Sequence, residues 1–355
     1  MNSTAHTDIP LIRVETIRLV LNCAQDYFPA PLMAKAIELL PSNLERPYLE
    51  SIPEYAFIHF MQTLYQESES QTFVDYLVDC TAQLSFMWPI PIDTKHSTLV
   101  SVLNQVTEQF KTRSSQSEIQ LELEGYQNQV KIHISTANHY ENRYQGSAFW
   151  LEMKSLFFLV QYIRRLLGKD WLPLSVGLQH VDINRLGGEL KLAKQGVFVD
   201  RESTYIILSE EEAYQELNVT PYQYSLPEYD VLATYHEQFA SALMPYIGER
   251  KLDLDSASEI LNTSRRTIQR KLNNEHTTFR KVIEQLHMQF AIRVLEDGRF
   301  SISDIASHLG YANSSKFIRA FKRITGLPPM QYAQQNGLSP RPTENASKAS
   351  NEPKP

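Results

Sequence analysis

Cysteine is nearly absent: Cys23 and Cys80 are the two thiols of a 355-residue chain, and no Cys-x-x-Cys pair occurs. That excludes a disulfide-stapled scaffold and the cysteine clusters that hold tetrahedral zinc. The two thiols read as buried small hydrophobes, which could in principle pair. No apolar run approaches the ~20 residues that span a bilayer, and Met1 to Asp8 lacks the basic flank and apolar core of a signal peptide. The expectation is a cytoplasmic protein with no membrane partner. Catalytic signatures are missing as well: no His-Glu-x-x-His, Gly-x-Ser-x-Gly, phosphate-binding loop or dinucleotide fingerprint stands in the sequence. The chain is therefore expected to be no enzyme and to need no cofactor or metal.

Positive charge is scarce over most of the length and concentrated near the end. The net charge is −7, yet residues 1–249 hold 17 Lys+Arg against 31 Asp+Glu, a balance of −14, whereas residues 250–335 hold 14 against 8, a balance of +6. Duplex phosphate attracts such a basic block, and the acidic remainder resists non-specific binding elsewhere on the surface.

The basic block carries two helix-turn-helix patterns in tandem. The sharper one runs from Ser301 to Arg323. Ile302, Ile305, Ala306 and Leu309 recur at helical spacing. Ser301 with Asp304 three residues on makes a capping-box-like start, and Gly310 permits the backbone angle that ends a helix. Asn313 can cap the next helix, with Phe317, Ala320 and Phe321 inward and Ser315, Lys316, Arg319, Lys322 and Arg323 outward. The first pattern repeats the plan. Leu254, Ala257, Ile260 and Leu261 form a support helix, Asn262 to Ser264 the turn, and Arg265 to Leu272 a second helix. Ile268 and Leu272 face inward; Arg265, Arg266, Gln269, Arg270 and Lys271 face outward, residue types that reach phosphates and read guanine or adenine edges. A basic helix face is often only solvated surface. Two copies in one orientation, each with its own turn chemistry, weigh against that blander reading.

Residues 251–332 resemble the DNA-binding domain of the AraC/XylS family. The resemblance is carried by Ser264 to Leu272, Ala291 to Leu295, Ile305 to Tyr311, Phe317 to Arg323 and Thr325 to Pro328. It covers under a quarter of the chain and implies an all-α domain of two helix-turn-helix units joined by a linker helix, here about Thr278 to Glu296. It also implies base reading by Arg266, Thr267, Gln269 and Arg270 in the first unit and Ser315, Lys316 and Arg319 in the second. Arg265, Lys271, Lys322 and Arg323 would then hold phosphate. Three positions depart from the family: Glu275-His276 replaces a usual glycine, Ile324 a common tryptophan and Ala333 a common arginine. One group of proteins resembling this family repairs alkylated DNA through a zinc-bound cysteine; two isolated cysteines cannot build that cluster.

Ahead of this domain the apolar spacing predicts helices over Ile9–Cys23, Leu32–Leu40, Tyr55–Glu67, Thr72–Trp88 and Thr98–Lys111. The period then shifts to two. Ile119, Leu121 and Leu123, then Val130, Ile132 and Ile134, read as a hairpin about Gly125–Gln129. A helix over Ala148–Leu167 and strands about Leu174–Leu178, Gly196–Val199 and Thr204–Leu208 complete an α+β sensor half. Gly168 to His180 resembles the arabinose-binding-type sensor of some AraC-family regulators, which names no ligand. Phe149, Trp150, Phe157, Phe158 and Tyr162 suit either a pocket for an apolar effector or an ordinary core. His180 and Asp182 with His133 and His139 can be drawn as a metal site, but such histidines are more often hydrogen-bonded structure.

The expected organisation is an effector-sensing and dimerising domain at 1–240, a DNA-binding domain at 241–335 and a disordered tail at 336–355. Residues 210–231 would form the bridge and Tyr229–Ile247 one helix leading out of it. The expected function is a sequence-specific transcription regulator, an activator, with double-stranded DNA, a small effector, RNA polymerase and a second copy of the chain as partners. An effector-independent DNA-binding regulator stays open, as does an enzyme or ligand-binding protein with a DNA-attachment domain.

Overall fold

A computed structural model describes residues 9–42, 44–46, 49–87, 97–113, 120–126, 128–135, 148–180, 192–217, 234–298 and 300–338. The chain forms two compact units, one of residues 15–39 and 56–231, the other of residues 1–14, 40–55 and 232–355. The division does not follow a single cut in the sequence, because two amino-terminal segments pack with the carboxy-terminal helices.

In the first unit, α1 (Val14–Gln25, its first residue excepted), α2 (Ala30–Ala36), α3 (Glu54–Glu67, from Ala56), α4 (Ser70–Met87) and α5 (Leu99–Arg113) precede a hairpin of β3 (Gln120–Tyr126) and β4 (Gln129–Ser135). Then come α6 (Ala148–Leu167), β5 (Ser175–Gly177), β6 (Gly196–Phe198), β7 (Thr204–Ser209) and α7 (Glu210–Tyr214). The strands make one sheet in the order β3-β4-β7-β5-β6, antiparallel except for the β5–β6 pair. Its register sets Val130 opposite Leu208, Ile132 opposite Ile206, and Val176 also opposite Ile206. These five side chains are buried together, the outcome that period-two alternation demands of a sheet with one covered face. The ring of Tyr205 lies over Gly177, and a Cβ there would fall 2.2 Å from it. Phe149, Trp150, Phe157 and Tyr162 of α6 are buried; they are core. The cavity beside Phe157, lined also by Val78, Leu172 and Val176, holds about 40 Å³, far below the several hundred Å³ of a ligand pocket.

The second unit opens with a two-stranded ribbon of β1 (Leu11–Arg13) and β2 (Ser51–Pro53), antiparallel with Ile12 opposite Ile52. The helix expected from Ile9 therefore begins only at Val14: Pro10 and the pairing of Leu11 to Arg13 with β2 hold the preceding residues extended. Arg46 binds Glu249 at 3.2 Å and reaches the carbonyls of Pro245 and Ile247, while the Ser42 amide donates to Glu249 at 2.8 Å. The Ile9 amide donates to the Gln238 side chain at 3.1 Å.

The helices of this unit are α8 (Tyr235–Leu243), α9 (Leu254–Ile260), α10 (Arg265–Asn274), α11 (Phe279–Asp297), α12 (Ile302–His308), α13 (Ser314–Thr325) and α14 (Pro329–Gln335). The helix expected over Tyr229–Ile247 is shorter at both ends. Thr234 caps its start, and after Leu243 it tightens into a 3-10 turn at Met244–Tyr246, where Pro245 has no N–H to continue an α-helical ladder. The expected bridge begins with a helix: Ser209 and Glu212 form a capping box at the start of α7. The rest of the bridge, the hairpin's Ile119, Trp88, His139, Asp182 and all of the expected tail beyond Leu338 lie outside the described residues. Among the described residues no helix is long and apolar enough to cross a membrane.

Candidate nucleic-acid interface

The helix pair α9 and α10 is held by its buried side chains. Ala257, Ile260 and Leu261 meet Ile268 and Leu272, all at 9% exposure or less. The turn between them is specified locally: Asn262 takes φ +45°, the Thr263 amide donates to the Ser258 carbonyl, and the Ser258 hydroxyl donates to the Thr263 carbonyl at 2.7 Å. Ser264 caps α10 by accepting from the Thr267 amide at 3.2 Å. With Ile268 and Leu272 committed to the core, helical geometry turns Arg265, Arg266, Gln269 and Arg270 to solvent, and all four are exposed. Thr267 is half-buried and shares a 2.9 Å hydrogen bond with Ser264. Arg265 pairs with Asp255 at 2.9 Å. Lys271 is half-buried, its ammonium 5.0 Å from the centre of the Tyr235 ring, a cation–π contact that holds it toward α8.

The second pair, α12 and α13, follows the same logic. Ser301 accepts from the Asp304 amide at 3.2 Å while the Asp304 carboxylate accepts from the Ser301 amide at 2.9 Å. Gly310 takes φ +72°, and the Tyr311 amide reaches back to the Ala306 carbonyl at 2.9 Å, closing the end of α12 as a glycine cap does. Asn313 caps α13 by accepting from the Lys316 amide at 2.9 Å. Phe317 and Phe321 are fully buried in an aromatic chain with Tyr311 and Tyr332, centroids 5.5 to 5.7 Å apart. Ala320, expected inward with them, is only half-buried. Ser315, Lys316, Arg319, Lys322 and Arg323 are exposed. Arg323 forms an ion pair with Glu284 of α11, so of this row it is the one tied to the helix between the two pairs.

Two features escaped the sequence. Glu275, at the carboxy-terminal end of α10, accepts from the Tyr235 amide at 2.7 Å and the His236 amide at 2.8 Å, and lies 3.2 Å from the His236 ring nitrogen. It fastens the start of α8 to the end of α10. The neighbouring His276 takes φ +55°, the left-handed angle for which glycine is favoured, so the chain keeps the expected backbone without the expected residue. The second feature is a cleft of about 380 Å³ between α11 and the end of α12, lined by Phe279, Ile283, Glu284, His287 and Tyr311 among others. Burial pushes the His287 imidazole below its usual range, against the pull of Glu284.

Of the drawn metal site, His133 and His180 lie among the described residues and each is hydrogen-bonded elsewhere. His133 bonds Ser203 at 2.8 Å and lies 3.4 Å from Glu124, while His180 faces Glu152 at 3.2 Å. Among the described residues no three His, Cys, Asp or Glu are grouped as metal ligands.

Residues 257–335 match the family model of a helix-turn-helix domain. The chain is 34% identical over 83 residues, 23% of its length and 31% of the relative's, to the HTH-type transcriptional activator CfaD of Escherichia coli. To the urease operon transcriptional activator of Escherichia coli it is 27% identical over 154 residues, 42% of this chain and 49% of that one. The chain thus spans about a third to a half of the length of these curated relatives. Among solved structures, the transcriptional regulator CdpR from Pseudomonas aeruginosa aligns with 91% of this chain and 98% of its own, at 16% identity and a TM-score of 0.36.

Proposed function

We propose that this protein is a sequence-specific DNA-binding transcription regulator of the AraC/XylS type. The observation that carries the reading is the pair of exposed polar faces on α10 and α13, each backed by residues committed to one shared core. In this reading α9–α10 and α12–α13 are two helix-turn-helix units and α11 is their linker. At 19 residues and ~1.5 Å rise per residue, α11 is about 28 Å long, a span suited to setting two recognition helices in successive major grooves. Arg266, Thr267, Gln269 and Arg270 with Ser315, Lys316 and Arg319 approach base edges. Arg265, Lys271, Lys322 and Arg323 hold phosphate, with Lys271 leaving Tyr235 and Arg323 leaving Glu284 to do so. The helix-turn-helix match and the names of the relatives support the same reading. Residues 1–240 sense a small effector and pair two copies of the chain, RNA polymerase is the downstream partner, and the site of action is the cytoplasm.

The test is DNA selection with the full chain followed by titrations at several salt concentrations. Arg270→Ala should cost about 1–3 kcal/mol and relax preference at particular positions, whereas Lys322→Ala should weaken all sequences alike and flatten the salt slope by about one. Equal loss on selected and random DNA for both variants overturns the assignment.

A further inference from the structure

The amino-terminal residues of the second unit hold α8 and the turn after it at two places. The Ile9 amide donates to the Gln238 side chain in the middle of α8 at 3.1 Å, and β2 packs against the same helix. Past the end of α8, Arg46 pairs with Glu249 at 3.2 Å, their side chains 18% and 12% exposed, and its guanidinium reaches the carbonyls of Pro245 and Ile247. One planar fork thus joins three acceptors that follow the helix. The start of α8 is fastened to a different element. Glu275, at the end of α10, accepts from the Tyr235 and His236 amides at 2.7 and 2.8 Å, and Lys271 of α10 lies over the Tyr235 ring. Helix α8 therefore stands between the β1–β2 ribbon and α10. The ribbon, Arg46 and α8 all precede residues 257–335, the segment that matches the family model, so the shared domain does not account for them. The ribbon is also where the chain passes into the other unit: β1 runs without a break into α1 and β2 into α3, and from Glu15 and Ala56 onward both helices belong to that unit. Hydrogen bonds close the ribbon at these exits, from the Val14 amide to the Glu50 carbonyl at 3.0 Å and from the Glu54 amide to the Pro10 carbonyl at 2.9 Å. A displacement of either helix start is delivered to a paired strand, the kind of rigid element that carries coupling between sites.

We propose, on the DNA-binding reading above, that the β1–β2 ribbon with Arg46 is a positioning element for the recognition helix α10: it seats α8, and α8 sets α10 through Glu275. Arg46 and Gln238 are positioning residues that touch no DNA. The same contacts act in both directions, because coupling between two sites is reciprocal. DNA that fixes α10 tightens the ribbon, and a change that moves the start of α1 or α3 alters DNA affinity. The sensor half thus has a route to α10 other than the stretch of sequence that joins α7 to α8.

The experiment is residue-resolved hydrogen exchange on the full chain, free and saturated with the duplex recovered by DNA selection. The Val14 and Glu54 amides should exchange about fivefold or more slowly once DNA is bound. In Glu275→Ala, at saturating duplex, that slowing should disappear. An affinity cycle on the same duplex separates positioning from a merely stabilising role. Arg46→Lys keeps the charge but not the fork, so it should weaken binding about fivefold or more. Added to Glu275→Ala it should weaken binding no further, because the link it acts through is already cut. Unchanged exchange at both amides with DNA bound, equal slowing in Glu275→Ala, or additive losses in the double variant overturn the proposal and leave DNA binding standing. Recovery of no duplex by selection overturns the DNA-binding reading and the proposal with it.

Discussion

Removing the Glu275 carboxylate should loosen the start of α8 more than any other single change at that junction. A helix leaves its first amide donors without partners, and in α8 the work is divided. Thr234 accepts from the Glu237 amide at 3.4 Å, whereas Tyr235 and His236 depend on Glu275 at 2.7 and 2.8 Å. A hydrogen bond to a charged group contributes about 1.5–3 kcal/mol. The Glu275 side chain is 27% exposed, so water can replace part of each bond and the low end of the range applies, about 3 kcal/mol for the two. Against this, a carboxylate at the carboxy-terminal end of α10 opposes that helix's own dipole by about 0.5 kcal/mol. The net loss for Glu275→Ala is about 2.5 kcal/mol, which corresponds to roughly 30- to 100-fold faster hydrogen exchange at the Tyr235 and His236 amides. Residue-resolved exchange on the full chain measures it, with Ala242 and Leu243 as internal references. Less than about threefold acceleration at both amides would refute the division of capping between Thr234 and Glu275.

Three further outcomes follow from the same unit. His276→Gly should raise stability by about 0.5–1 kcal/mol, because it relieves a left-handed backbone at φ +55° while losing some unfolded-state restriction; a lowered thermal midpoint would count against it. Ser301→Ala, which dismantles the α12 capping box, should cost about 1 kcal/mol in denaturant titration and leave α9 and α10 unaffected. His287 has its folded pKa pushed below the unfolded value by burial. Its unfolded form therefore binds a proton first as pH falls through the ordinary histidine range near 6.5, and stability drops there. His287→Gln should reduce that slope, and an unchanged stability profile between neutral and mildly acid pH would contradict it.

How much of this was legible in the sequence depends on whether the decisive interaction is local. The caps of α12 and α13, the Gly310 stop and the inward Phe317 and Phe321 all join residues a turn or two apart, and periodicity with turn chemistry located them. The helix α6 and the β3–β4 hairpin were legible for the same reason, being set by spacing inside one segment or across one tight turn, although the turn is tighter than the expected Gly125–Gln129 because Gly125 pairs with Val130 and Tyr126 with Gln129. The start of the first helix failed for a distant reason. Leu11 to Arg13 carry enough apolar residues to pass for helix, and only their pairing with Ser51 to Pro53, some forty residues on, makes them a strand. That partner lies in a segment with no strong pattern of its own.

The interface was legible as a set of residue types but not as a set of free ones. Spacing separates outward from inward positions, and it put Arg266, Gln269, Arg270, Ser315, Lys316 and Arg319 outward, where they stand exposed. It does not say which outward cations are already engaged. Lys271 lies against Tyr235 from 36 residues upstream, and Arg323 against Glu284 from 39 residues upstream. Neither partner is visible from the helix that carries the cation. These two contacts, with the Arg265–Asp255 pair within the first helix pair, divide the expected phosphate row physically. Lys322 is exposed and can turn to a phosphate as it stands, whereas Lys271 and Arg323 must exchange an existing partner for it. An exposed ion pair contributes about 0–1 kcal/mol, so that exchange lowers the yield of a phosphate contact without forbidding it. Lys322 is therefore the cation of α13 whose removal should reduce the salt dependence of DNA binding by close to a full phosphate, and Arg323 the one whose removal should reduce it by less.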